Sequence, residues 1–290
     1  MSKSQLFPLV AIGAAIVFGI LMLTIMPAIG SSASEPAVAP GESSTTFAAK
    51  AEAPGPDRPA AQEHLPLAIR WSNWRPEFGP AFVYARERDL EGMLAMDAPV
   101  IKMLMVTSYD ETSRLMQRAD ELHEAGVAIV GLNTENGPGM TPPDEMQTLQ
   151  STDPNVNVIA RVAQLATENG FSVMWGPIRN VTDRVDENVI RMLMEAGVRG
   201  LAMQEQKFIE TQPAQQRARA VIQTRERYLA IARELGIDDF AFHVQIMHQR
   251  CPDLDNCVEF VRLLEGIPVD SIAIWSNGPI PIDFVEAIRS

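Results

Sequence analysis

Glu135 is the one carboxylate whose position and phase both aim it at a strand end where other polar side chains gather. It follows the apolar run VAIVGLN (127–133), in which Gly131, Asn133 and Glu135 share one face of an extended chain and Val130 and Leu132 the other. An apolar pocket would raise the pKa of such a carboxyl toward general-acid use, whereas a cation from Arg70 or Lys102 would keep it ionised. The same alternation assigns further polar groups to that phase: Arg70 in LAIRWS, Lys102 in VIKMLMV, and Gln204 and Gln206 in RGLAMQEQ. His243 and Gln245 in DFAFHVQI and Trp275 in SIAIWSN complete the set, with Arg179 and Asn277 at the rim. Amides, an imidazole and an indole converging on one mouth suit a polyhydroxylated ligand, held by hydrogen bonds and by stacking. Trp74 and Trp275 are the candidate stacking platforms, since Trp71 and Trp175 share phase with apolar neighbours and read as core.

These residues need a scaffold, and from Leu67 onward the chain supplies one by repeating a short apolar run followed by a helix-period stretch. Strands are expected at 67–72, 100–106, 127–133, 171–176, 199–206, 239–246 and 271–277. Helices should begin near Glu111, Val156, Asp186, Gln215, Leu254 and Ile282, with a shorter one near Leu90. Several stop at a Gly ahead of the next strand, as in EAGVAIV, ENGFSVM, EAGVRGLAM and ELGIDDFAF. Asp186 and Asp110 are candidate helix N-caps. Such alternation means parallel strands joined by right-handed crossovers, hence a closed (β/α) barrel or an open doubly wound sheet. No G-x-G-x-x-G or G-x-x-x-x-G-K-[ST] follows a strand, so no nucleotide cofactor is expected and the barrel is the better fit. Seven strands are clear; the eighth comes from AFVYARE (81–87), or else the barrel is incomplete. In a barrel of this class the ligand site lies at the C-terminal strand ends.

The runs NTEN, WGPIRN, MQEQKF, FHVQI and IAIWSNGP, spread over Leu67 to Ser290, resemble those of a group of exported bacterial barrels related to the glycoside hydrolases. The resemblance implies a TIM-like barrel with a polar mouth and carbohydrate chemistry, and supplies neither substrate nor mechanism. A standard glycosidase needs two carboxyl groups, about 5–5.5 Å apart for retention or about 6.5–9.5 Å for inversion. Here the runs ending in Trp175-Gly176-Pro177 and Trp275-Ser276-Asn277 bring no acid, and D-x-x-D-x-D-x-E is absent. A second acid would have to come from Glu205, which is out of phase with Gln204 and Gln206, or from Asp183 or Asp186. Two readings follow: a saccharide-binding barrel that hydrolyses its ligand through Glu135, or a non-catalytic carbohydrate-binding or accessory subunit of a membrane-associated complex.

A formal charge of -13 and the lack of a basic patch exclude nucleic acid as a partner. Two Cys and four His leave little for a structural zinc site or a His-based cluster, so no metal is expected. Leu6 to Ile29 carries no charge and is long enough to span a bilayer, with Lys3 before it and no Lys or Arg after it until Lys50. The expectation is a signal anchor over residues 1–30 with a cytoplasmic N-terminus, unless cleavage near Ser31-Ser32-Ala33 releases the chain. Residues 31–63, rich in Ala, Pro, Ser and Gly, read as a disordered tether, and 64–290 as the barrel, placed in the periplasm or outside the cell. In that oxidising setting Cys251 and Cys257 are expected to form a local disulfide rather than a metal pair.

Overall fold

The computed structural model describes residues 65–290, apart from positions 80, 138, 178, 205–211, 252 and 290, and without the side chains of 179, 180 and 250. The expected anchor and tether therefore lie outside the described residues, as do Glu205, Gln206 and the side chain of Arg179. Among the described residues no helix is long and apolar enough to cross a membrane.

Eight parallel strands close into a barrel in chain order: β1 (Leu67–Arg70), β2 (Ala81–Arg86), β3 (Ile101–Val106), β4 (Val127–Thr134), β5 (Ser172–Pro177), β6 (Val198–Gln204), β7 (Ala241–Met247) and β8 (Ser271–Trp275). β8 pairs with β1 and completes the circle. The strand that the alternation left open is β2. It follows β1 through two short 3-10 turns instead of a helix, so the strand–helix rhythm breaks where it should be read.

Among the described residues ten helices surround the strands: α1 (Leu90–Leu94), α2 (Tyr109–Met116), α3 (Ala119–Glu124), α4 (Pro143–Met146), α5 (Val158–Glu168), α6 (Arg179–Thr182), α7 (Glu187–Glu195), α8 (Ala214–Glu234), α9 (Leu254–Glu265) and α10 (Ile282–Arg289). Their starts are chemically marked. Asn157 accepts from the amides of Ile159 and Ala160, Asp186 from Asn188 and Asp253 from Asn256. At α2 the cap is Ser108, which accepts from the Glu111 amide, and not Asp110, which sits in the first turn. Gly126, Gly170, Gly197 and Gly236, with φ of 80°, 85°, 114° and 70°, reverse the chain from helix into strand where a β-carbon would be strained.

The outward phase of the strands fills the space beneath the helices. Ile69, Val83, Leu104, Val130, Leu132, Leu201, Phe242, Val244, Ile246 and Ile274 are wholly buried there. Each contributes about 1.5–3 kcal/mol by leaving water. Trp175 joins them, its Nε1 donating to Thr134 Oγ1 at 2.9 Å.

Lys102 belongs to this outward phase, which corrects its assignment to the barrel lining. Its neighbours Met103 and Met105 turn inward, while Lys102 Nζ donates to the carbonyls of Leu94 (3.1 Å), Met96 (2.9 Å) and Ala125 (2.8 Å). These carbonyls end α1 and α3, so the ammonium caps two helix C-termini, where both hydrogen bonding and the helix dipole favour a cation. Burial lowers its pKa, with Asp97 opposing.

Candidate active site in the barrel mouth

Strand register sorts the inward side chains into layers of four contributed by alternate strands. Counted from the bottom, Phe82, Ile129, Gly200 and Ser271 come first, followed by Ala68, Met103, Met174 and His243. Above them lie Tyr84, Gly131, Ala202 and Ala273, then Arg70, Met105, Gly176 and Gln245, then Arg86, Asn133, Gln204 and Trp275. The Tyr84 layer explains the cavity. Three of its four residues are Gly or Ala, so one aromatic ring cannot fill the cross-section and space is left above the Met103 layer.

That space measures about 120 Å³ and is lined by Tyr84, Met103, Met105, Met174, Gln245 and Trp275 among others, with Asn133, Glu135 and Met140 toward the mouth. It lies below the range of roughly 300–1,000 Å³ typical of drug-sized pockets, so an enclosed ligand must be small or a larger one must protrude. Tyr84 and Trp275 lie nearly parallel, 6° apart with centroids 6.3 Å from each other. Burial pushes the Tyr84 phenol up, against the pull of Arg70 and Arg86. Gln204 Nε2 donates to Asn133 Oδ1 at 2.8 Å and to the Gly176 carbonyl at 3.2 Å, tying β4, β5 and β6 together at the rim.

Glu135 stands at the opening, and among the described lining residues it is the only carboxylate. Neither expected counter-ion reaches it: Arg70 pairs with Asp89, and Lys102 is on the other side of the sheet. The Glu135 amide donates to Thr141 Oγ1 at 3.3 Å, and Thr141 Oγ1 donates to the Asn133 carbonyl at 3.1 Å. The long connection after β4 is thereby folded against the strand end, with Met140 over the cavity and Arg86 Nη2 3.2 Å from its sulfur. Glu145, farther along that connection, accepts from the Tyr109 amide at the start of α2.

His243 lies deeper, 2% exposed, its ring edge-on to Phe82 at 5.1 Å. Nδ1 is 2.6 Å from Ser271 Oγ, and Nε2 is buried without a partner. Burial lowers the imidazole pKa to about 4, Asp270 acting weakly the other way. A buried nitrogen without a partner costs about 1–3 kcal/mol.

The structure thus brings Asn133, Glu135, Gln204, His243, Gln245 and Trp275 together in or beside the cavity. It places others elsewhere. Trp74 packs half-buried against the outer core, and Asn277 is exposed, its amide donating to Gln249 Oε1 at 3.3 Å. Sequence reasoning missed Tyr84 and the methionines 103, 105, 140 and 174. The signal for two of them was present in IKMLMV, where Met103 and Met105 alternate with Leu104 and Val106, but the lone Lys102 suggested the opposite phase. Cys251, on the β7–α9 connection, and Cys257, in the first turn of α9, form the expected disulfide, their Cα atoms 6.0 Å apart.

Fold and strand register define an eight-stranded (β/α) barrel of the TIM type. No family model matches the chain, and neither does any curated protein. Solved barrels align with it at low identity. CitE from Mycobacterium tuberculosis with magnesium and acetate is 10% identical over 78% of this chain and 89% of that one, at a TM-score of 0.43. A glycoside hydrolase family 17 β-1,3-glucanosyltransferase from Rhizomucor miehei is 13% identical over 72% and 79%, at 0.44. A D-psicose 3-epimerase is 10% identical over 78% and 96%, at 0.46. At these scores none of the three bears on what this barrel does.

Proposed function

We propose that the barrel is a saccharide-binding domain held outside the cytoplasm by the apolar segment Leu6–Ile29, and that it does not run a two-carboxylate hydrolysis. The observation that carries the reading is the composition of the mouth: Glu135 is the single carboxylate among its described lining residues, beside Asn133, Gln245 and Trp275. Amide and carboxylate oxygens accept from sugar hydroxyls, amide N–H groups donate to them, and an indole face covers the apolar side of a pyranose ring. Both retention and inversion need a second carboxyl group within about 5–9.5 Å of the first, and the described lining residues contribute none besides Glu135. The cavity volume fits one terminal sugar with the remainder of a chain outside.

Calorimetric titration with a panel of mono- and oligosaccharides tests this. Binding should weaken about tenfold in Trp275→Ala, the loss of roughly 1.4 kcal/mol of stacking. Glu135→Gln keeps the shape and one acceptor oxygen and should bind within a few-fold of the parent. Release of reducing ends by the parent but not by Glu135→Gln would replace the binding reading with a hydrolase.

A further inference from the structure

Beneath the mouth lies a set of donors that saccharide binding leaves idle. Met103, Met174 and His243 share one layer with Ala68. Met105 comes from higher on β3 yet reaches the same space. Its Sδ stands 2.5 Å, and that of Met103 3.0 Å, from the point where a Cβ on Gly131 would be. The absence of a side chain at 131 is what lets the two thioethers converge. A barrel interior that needed only filling would carry Val, Ile and Leu here, as the outer face of these same strands does.

His243 supplies the other half of the argument. Its Nδ1 is held by Ser271 Oγ in the layer beneath, Nε2 is buried and unpartnered, and the residue lines the cavity. A ring nitrogen left open while its twin is fixed by a hydrogen bond is how a metal-ligating histidine is oriented. The remaining donors decide which metal. Thioether sulfur is soft and uncharged; it is a poor ligand for Mg²⁺, Ca²⁺ or Zn²⁺ and a good one for Cu(I). Among the described residues no cluster of three His, Cys, Asp or Glu offers a harder site, and both cysteines are engaged in their disulfide.

We propose that this layer binds one Cu(I) ion through the sulfurs of Met103, Met105 and Met174 and through Nε2 of His243, with no change in oxidation state. The donors line the floor of the same cavity that the saccharide reading uses, and the inference is read out by metal rather than by sugar.

The test is competition between the full chain and the coloured Cu(I) complex of bicinchoninate, kept reduced with ascorbate. The parent should withdraw one equivalent. Met103→Leu with Met174→Leu, and separately His243→Leu, should each weaken binding at least about tenfold, while Met192→Leu on α7 changes nothing. Leu for Met conserves volume, so the fold should survive, and circular dichroism checks it. Methyl NMR of the parent with Ag(I) gives a second readout independent of any variant: the methyl signals of Met103, Met105 and Met174 should move and that of Met192 should not. Failure to withdraw copper, or equal retention by the parent and both layer variants, overturns the proposal. Saccharide titration of the same parent protein is scored separately, so failure of the copper proposal and failure of the saccharide reading are distinguishable.

Discussion

The two faces of the barrel sheet follow opposite rules although they belong to the same strands. Outward, Val130 and Leu132 of β4, Trp175 of β5 and Val244 of β7 are buried and interlocked with the helices. Inward, the residues between them are Gly131, Asn133, Met174, His243 and Gln245, which leave a cavity and polar atoms around it. The outer face holds the fold together by shape and apolar area. The inner face leaves its middle layer underfilled and accepts an unpartnered imidazole nitrogen, a cost that makes sense where a ligand is to be received.

Substitutions that separate the two faces can break this contrast, and Trp175→Ala should have the largest effect. It empties a large, fully packed site and strands Thr134 Oγ1, so urea unfolding should show a loss of about 3–5 kcal/mol. The next effect comes from the inner face and from pH. With His243 near 4 in the folded state and near 6.5 when unfolded, the unfolded chain binds the extra proton first. Stability from this group is complete above about pH 6.5 and declines as pH falls toward 4, by about 3 kcal/mol in all. His243→Leu should flatten that slope in a series of thermal or urea melts.

Lys102→Met sharpens the contrast from the other side, because it removes a buried charge from the outer face yet takes away the donor shared by three helix-end carbonyls. A loss of about 2 kcal/mol is expected, with ligand binding at the mouth unchanged. An unchanged stability would mean that these carbonyls recover water, and that the outer face does not need the buried Lys102 ammonium. Trp275→Ala should cost stability least, about 1 kcal/mol or less by the same melts, since the indole is only half buried and its role is toward ligand.

Much of this was legible beforehand, for physical reasons. Helix-period and strand-period stretches alternate audibly from Leu67 onward, and glycines such as Gly126 and Gly170 mark where one gives way to the other. The phase of β4 and β7 could be read because polar residues fall on one side only, which put Asn133, Glu135, His243 and Gln245 inside. β3 could not be read that way. Both of its phases are apolar apart from Lys102, and a buried lysine is intelligible only once two helix ends are seen to meet over it. Tyr84 was hidden for a related reason, since β2 lacks the helix that would have announced its strand.

The sequence by itself determined the architecture and the two-residue rhythm that sends each strand's side chains in or out, because both are local properties of neighbouring residues. What the tertiary structure decided is which residues from distant strands share a height. Met103, Met174 and His243 are 71 and 69 positions apart along the chain. They meet only because the strands of a closed barrel are staggered, and stagger is a property of the whole circle that no single strand encodes.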